Sequence, residues 1–584
     1  MDSQTDCYYT PDENSTFSLS RAYELYSKKW TNNNNNVTIT TEDKFLNTLL
    51  IFPPLWDINL APMLSTPMLT NMLNRCGHDA EFLDLNSDYM NFVLNKEFFN
   101  YYRDKVVYFE KQLVNISKKM QTPENNSLRI YMTELVLAFR NAETFLTDFY
   151  NNYPEANFNT DSLFDKEGSE IQEYYHICKN ITMNTFINNY KINVPDDCRL
   201  LYDWEERILN TIFEKQPELI GFSVYCIEQY RWALSFSEKI KQRIKTKIFF
   251  GGNQLTSLRY EIDKNIFNKC VDVCIYGNGE IPLCMLADGE EYENIPNLIY
   301  LDKDNNLKIN SDYKKRFDFY GAKYDSVNFK DYFVPNPVLP VEGSRGCYWG
   351  KCEFCDFMDC MTYRQKKVDD LLDEIEEYIN KYNVHHFFFT DAAMHPEYAK
   401  EFSSKVLEKN LKLYFLSDFR FEKEFDEELL NLMYDAGLRV ALWGLESGSD
   451  RILQMYNKGT TVENNSRVIK LASQAGIFNW CWTMILFPME TAEEMVMTRN
   501  FLFDHYDFID YVSLHNFTLL KNSPITMNYK NFGMTSGNFF KPNLGMRIFS
   551  EKIRHEIFNL YMPKMCKNPD DLTNMLLKCS REKP

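Results

Sequence analysis

The sequence predicts an α/β chain made of two successive βα series: a doubly wound parallel sheet, then a partial βα barrel, with a mainly helical tail. Three observations predict it. Short apolar strands rich in β-branched and aromatic residues alternate with amphipathic helical segments over residues 45–310 and again over 336–530. The first series is interrupted at 89–198 by helical, aromatic and acidic sequence. Three cysteines, Cys347, Cys352 and Cys355, fall directly after the opening strand of the second series.

In the first series, residues 1–44 form a leader, and the asparagine run Asn32 to Asn36 reads as low-complexity linker. A strand at Asn47 to Phe52 ends in Pro53-Pro54, and a helix from Pro62 to Cys76 follows. The turn Gly77-His78 then leads into a strand ending at Asp84. His78 reads as a turn residue. After the insertion come a strand at Leu219 to Val224, a helix at Tyr230 to Ile244, and strands at Lys247 to Gly252 and Val271 to Glu280. A ligand of such a sheet lies at the carboxyl ends of its strands, here Ser223, Gly251, Gly252, Gly277, Gly279 and Glu280. No Gly-x-Gly-x-x-Gly follows the first strand, which argues against a dinucleotide.

A linker at 311–335 leads to the second series, with strands expected at Val338 to Glu342, Phe387 to Asp391, Lys412 to Ser417, Ala441 to Gly448 and Thr483 to Pro488. Residues at the carboxyl ends of barrel strands face the active-site mouth. The cysteines stand in Ser-Arg-Gly-Cys-Tyr-Trp-Gly-Lys-Cys-Glu-Phe-Cys-Asp-Phe. A cubane iron–sulfur cluster takes four ligands, so three thiolates leave one iron open to something other than protein. Structural zinc is the alternative, with Cys360 as fourth ligand.

On these residues the second series resembles the radical S-adenosylmethionine (SAM) superfamily, whose cysteines follow the first strand of a partial (β/α)6 barrel. The family spaces them three then two residues apart, whereas this chain has four then two. The resemblance implies that Cys347, Cys352 and Cys355 hold a 4Fe-4S cluster whose open iron is chelated by SAM, which is cleaved reductively to a 5′-deoxyadenosyl radical. It also implies that Asp391 lies near the SAM amino group and that Glu446 contacts SAM. Ser417 and Arg420 would meet its ribose and carboxylate, with Arg420 otherwise read as a solvated charge. The segment Met484 to Pro488, with Phe487, would meet the adenine through its backbone. The family's Gly-x-Pro-Gly-Glu-Thr turn is here Leu-Phe-Pro-Met-Glu-Thr. The first series resembles the Rossmann-like cobalamin-binding domain found ahead of such barrels, through Phe-Pro-Pro, Gly-Phe-Ser, Phe-Gly-Gly and Tyr-Gly-Asn-Gly-Glu. The Asp-x-His-x-x-Gly motif that ligates cobalt is missing.

The 584 residues carry a net charge of −19, which argues against a nucleic-acid surface, since phosphate binding needs clustered Lys and Arg. The start is not a signal peptide, and no apolar run is long enough to span a bilayer. Fifteen cysteines in so long a chain suit a reducing, cytoplasmic setting rather than a disulfide scaffold. Cys566 and Cys579 in the helical tail read as ordinary thiols. The function expected from the resemblance is cobalamin-dependent methylation of an unactivated carbon in a natural-product or peptide substrate, with an external reductant such as flavodoxin or ferredoxin. The alternatives are a cobalamin-independent radical rearrangement or peptide crosslinking with a vestigial first domain, and a non-catalytic iron–sulfur or zinc protein.

Overall fold

In the computed structural model the described residues are 46–56, 61–95, 97, 98, 100, 101, 175, 178, 179, 182, 183, 199–312, 319, 321–332, 334, 336–356, 362–535 and 540–565. Expectations for the leader, most of the 89–198 insertion, Cys360, Cys566 and Cys579 lie outside them. The chain divides into two compact units, residues 1–53, 65–83 and 208–323, and residues 54–64, 84–207 and 324–584.

The first unit is built on a seven-stranded sheet in the order β2-β1-β3-β4-β5-β6-β7. Its strands are β1 (Asn47–Phe52), β2 (Asp79–Asp84), β3 (Leu219–Ser223), β4 (Lys247–Gly251), β5 (Val273–Ile275), β6 (Leu298–Leu301) and β7 (Leu307–Ile309). β1 pairs parallel to β3, β3 to β4 and β4 to β5, which gives the doubly wound order 2-1-3-4-5 with its switch point between β1 and β3. β6 and β7 add an antiparallel hairpin that the sequence reading lacked. The intervening helices are α1 (Ser65–Arg75), α4 (Ile227–Arg243), α5 (Asn253–Leu258) and α6 (Glu280–Ala287); α2 (Leu85–Val93) and α3 (Arg199–Lys215) lie between β2 and β3 in sequence. β1, β3 and β4 are buried almost throughout, as expected of parallel strands covered on both faces.

Two glycines at the strand ends differ sharply. Gly252 has φ +99, and a Cβ there would lie 2.4 Å from the Val224 carbonyl oxygen. A Cβ on Gly251 would meet only the Ile275 carbonyl, at 3.7 Å. Gly252 is therefore required by its own loop, whose Val224 and Gln254 N–H groups bond to the Gly251 and Val224 carbonyls at 2.8 and 3.2 Å. Gly252→Ala is expected to lower the urea midpoint strongly, whereas Gly251→Ala should leave it nearly unchanged. Equal midpoints would refute the steric account.

The domain boundaries also shift. Residues 84–207 group with the second unit, not with the first sheet, and the first unit runs on to 323. The reason is local bonding: Asp84 caps α2 and accepts from the Tyr332 hydroxyl at 2.9 Å, and Ser87 and Asn91 donate to the Asp331 carbonyl at 3.1 and 2.9 Å.

The second unit holds a six-stranded, all-parallel sheet of β8 (Val338–Val341), β11 (His386–Phe389), β12 (Tyr414–Phe419), β13 (Leu438–Glu446), β14 (Phe478–Ile485) and β15 (Tyr511–Asn516), neighbours in that order. This is the expected (β/α)6 series, and β8 and β15 are its two edges. β14 begins at Phe478 and ends at Ile485, so the expected strand Thr483 to Pro488 is its last residues plus a turn. Between strands lie α7 (Val368–Tyr382), α8 (Pro396–Glu408), α9 (Glu427–Asp435), α10 (Asp450–Met455), α11 (Val462–Gln474) and α12 (Ala492–Asp504), followed after β15 by α13 (Pro524–Met527) and α14 (Leu544–Met565). The tail helix α14 docks on α12 through the Arg499–Glu556 ion pair at 2.5 Å and the Tyr561 hydroxyl, which donates to the Leu502 carbonyl at 2.7 Å.

Strand parity fixes which side chains look inward. Phe389 and Phe415 pack on Phe402 of α8, and Phe419 packs on Phe425 and Trp443, so these positions face the helices. Leu416, Asp418, Leu442, Gly444, Trp480 and Trp482, one residue out of phase, face the other side.

Candidate functional site

The cysteine loop leaves β8 and is framed by a two-residue antiparallel ladder, β9 (Ser344–Arg345) with β10 (Arg364–Gln365). Asp391, two residues beyond β11, clamps the start of this loop. Its carboxylate accepts from the Gly343 N–H at 2.8 Å and the Ser344 hydroxyl at 2.6 Å, and the residue is 2 % exposed. Burial pushes its carboxyl up to about 7, against the pull of those bonds. Both oxygens are engaged within the loop. Gly346, at φ +80, passes the Tyr363 backbone where a Cβ would come within 2.9 Å.

Cys347, Cys352 and Cys355 are all half-buried. Aromatic wedges hold the loop that carries them. Trp349 donates to the Asn457 carbonyl at 2.7 Å and lies against Gly459, where a Cβ would be 2.3 Å from the indole. The Glu353 N–H bonds to the Tyr456 carbonyl at 2.9 Å, and Phe354 meets the Tyr456 ring edge-on at 5.5 Å.

Two cations stand beside this loop. Arg420 is 3 % exposed, not a solvated surface charge as the sequence suggested. Its guanidinium bonds Glu422 at 2.9 Å and the Lys458 carbonyl at 2.5 Å, lies 4.5 Å over the Trp349 ring, and reaches the Cys352 sulfur at 4.0 Å. Lys458, which sequence reasoning missed, is 6 % exposed and pairs with Glu446 at 2.8 Å. Burial pulls the Lys458 ammonium down, but Glu446 and Cys352 outweigh it and the net shift is upward. Burial raises the Cys352 thiol, and Lys458 and Arg420 pull it back. A strand end and a helix–helix connection thus bring positive charge to Cys352.

Glu446 closes β13 at φ +58, beyond a register shift against β14. Ser417 falls on the helix-facing side of β12, fully buried. Its neighbour Asp418 takes the inward position and accepts from Trp482 Nε1 at 3.1 Å. The period-two pattern Phe415, Ser417, Phe419 was the signal that could have found it. Phe487 packs its ring among Tyr456, Phe517 and Phe532, while its N–H and carbonyl are both bonded within its turn to Glu490, at 3.1 and 2.9 Å. Leu486 and Met489 stand at φ +66 in that turn, so its left-handed path persists where relatives place glycine. On the first sheet Ser223 is bonded to Ser65 at 3.0 Å; Gly277 has φ +65, and a Cβ on Gly279 would meet nothing within 4 Å. Glu280 is 2 % exposed at the first position of α6.

Burial pushes the Asp418 carboxyl up to about 7, with the Trp482 bond opposing and Asp391 adding to the rise. Because the folded chain holds this proton more tightly than the unfolded chain, the stability it contributes is full below about pH 4 and is lost as pH rises through about 7. Asp418→Asn is expected to flatten the fall in Tm of the cofactor-free protein between pH 5 and 8 and to raise Tm at pH 8. An unchanged slope would show the carboxyl titrating normally.

The Radical SAM superfamily model matches residues 341–502, and with the cysteine loop and six-stranded parallel sheet this segment is a radical SAM domain. Such a domain works with a 4Fe-4S cluster and SAM. In fold the chain is similar to solved structures of cobalamin-dependent radical SAM enzymes. It is similar, at 15% identity and a TM-score of 0.55 over 90% of this chain and 68% of that one, to OxsB with aqua-cobalamin and SAM bound. Against the methyltransferase TsrM of Kitasatospora setae, with cobalamin and the cluster bound, identity is 15% and TM-score 0.52, over 82% and 77% of the two chains. At these identities the likeness is one of fold. In sequence the chain is 27% identical, over 51% of itself and 67% of the relative, to a Methanocaldococcus jannaschii protein that carries the name methylthiotransferase. It is 25% identical, over 56% and 74%, to an uncharacterized methyltransferase of Pyrococcus horikoshii.

Proposed function

We propose that this chain is a cobalamin-dependent radical SAM enzyme that methylates an unactivated carbon of a small-molecule or peptide substrate, served by an external one-electron reductant. The observation that carries the reading is the half-buried cysteine triad with Arg420 and Lys458 buried beside it. Three thiolates suit a cluster with one open iron, whereas a closed zinc site wants a fourth protein ligand; the two cations would balance the charge of thiolate ligands. Cluster and SAM would together supply a carbon-centred radical, and cobalamin a transferable methyl group.

The chain's own residues then have definable tasks. Cys347, Cys352 and Cys355 would ligate the cluster. Arg420 and Lys458 balance its charge, while Trp349 packed on Gly459 limits water at the loop. Glu446, fixed by Lys458, is the residue we assign to the SAM amino group, with Asp391 holding the loop and Phe487 closing the turn. Asp418 and Trp482 face inward from β12 and β14 and are assigned to substrate, where Asp418 can hold a proton near neutral pH. For cobalamin the first sheet offers small residues at the carboxyl ends of its strands, Ser223, Gly251 and Gly277, with open space at Gly279, which fits a large flat ligand. With no histidine signature present, cobalt would lack a histidine ligand.

A second reading, radical cyclisation or rearrangement without methyl transfer, is favoured by relatives named for other reactions: an anaerobic magnesium-protoporphyrin IX monomethyl ester cyclase of Cereibacter sphaeroides and a 4'-phospho-dehydrooxetanocin synthase of Priestia megaterium. The deciding experiment is anaerobic reconstitution with cobalamin and methyl-labelled SAM. Methyl transfer predicts cobalamin retained on desalting, a spectrum without histidine coordination, and label on the bound corrinoid. SAM cleavage with no cobalamin uptake would reject methylation in favour of the second reading.

A further inference from the structure

We propose that the first unit carries a structural zinc site formed by His78, Cys284 and Asp288, separate from the cysteine loop. The three donor atoms lie within 4.8 Å of one another, and among the described residues no other group of three His, Cys, Asp or Glu side chains is gathered so closely. His78 Nε2 is 3.1 Å from Asp288 Oδ1. Donors around one tetrahedral zinc are separated by roughly 3.3–3.8 Å, so the cluster needs only a small contraction to close on an ion.

Its construction is specific. His78 follows Gly77, whose φ of +95 turns the chain into β2, and its N–H is bonded to the Leu73 carbonyl at 3.1 Å. Cys284 and Asp288 are one helical turn apart at the end of α6, where the Asp288 N–H bonds to the Cys284 carbonyl at 2.9 Å. The imidazole is nearly buried, with side-chain exposure of 5 %, yet its Nδ1 has no hydrogen-bond partner. The nitrogen that faces Asp288 is Nε2, so a metal shared with Asp288 would be held by Nε2. Cys284 is fully buried, and Asp288 stands at the water-exposed side, leaving a fourth position for water.

The chemistry selects the ion. One nitrogen, one thiol and one carboxylate suit zinc and disfavour magnesium or calcium, which take oxygen. The position selects the role. α6 starts beyond the carboxyl end of β5 and returns along the sheet, and His78 precedes β2, so the site lies at the amino ends of the parallel strands, away from the edge proposed for cobalamin. Zinc there would fasten the edge strand β2 to the end of α6.

The test uses the full chain with its cluster reconstituted first, to about four irons per chain, so that the cysteine loop is filled. After equilibration with zinc and desalting, metal analysis should find one further zinc per chain. Cys284→Ser and His78→Gln should each lose that zinc while keeping the iron and SAM cleavage. Cobalt in place of zinc should give a thiolate-to-cobalt absorption band that Cys284→Ser abolishes, which separates loss of a ligand from misfolding at His78. No retained zinc in the wild type, or equal zinc in both variants, would overturn the proposal.

Discussion

Replacing Cys352 with alanine is expected to remove the iron and SAM cleavage together, and Cys347→Ala and Cys355→Ala should do the same. Wild-type protein reconstituted without oxygen should carry about four irons per chain in this loop, because three thiolates and one open position complete a cubane. The side chains are half-buried on a loop pinned by Trp349, Glu353 and Asp391, so alanine removes a ligand without emptying a core. SAM turnover should fall at least a thousandfold while the circular dichroism stays as in the wild type. Cys360→Ala should leave both intact; if it proves as damaging as the others, a four-thiolate closed site is the better account.

The second large effect is expected at Lys458. Lys458→Met leaves Glu446 nearly buried beside Cys352 with its cation gone, and breaking a buried pair from one side costs about 3–5 kcal/mol. Adding Glu446→Gln removes the stranded charge and should recover more than half of the loss. Urea unfolding of the cofactor-free wild type, both single variants and the double variant measures the coupling. A loss below about 1 kcal/mol for Lys458→Met would mean that the pair behaves as a surface ion pair. Charge is the reason for the size of the effect: Lys458 Nζ also stands where a Cβ on Gly444 would come within 2.5 Å, so the ammonium is enclosed by backbone as well as by its partner.

The two βα series and the cysteine loop were legible because they rest on local signals: strand composition, glycine punctuation and tight cysteine spacing. The strand Asn47–Phe52 fell where the pattern put it. What was not legible depends on parity or on distance along the chain. Ser417 and Asp418 take opposite faces of β12, and a step of one residue exchanges helix contact for barrel interior. Lys458 lies in a connection with no motif, twelve residues after the carboxylate it neutralises. Arg420 read as solvated because nothing local shows that Trp349, from a loop some seventy residues earlier, lies under its guanidinium. The 89–198 insertion was placed in the first domain by sequence order, but Asp84, Ser87 and Asn91 at its start bond to Tyr332 and Asp331.

The antiparallel hairpin that ends the first sheet has a consequence for solubility. A parallel sheet finishing at β5 would offer a bare row of amide and carbonyl groups to any passing chain, a template for aggregation. β6 occupies that row, and the new margin is only the three residues Leu307–Ile309, with Lys308 at their centre near Asp302 at 3.3 Å. On the opposite margin β2 alternates outward Asp79 and Glu81 with buried Ala80 and Phe82, and Glu81 is paired with Lys215. Short length at one border and charge at both make this sheet a poor seed for strand addition.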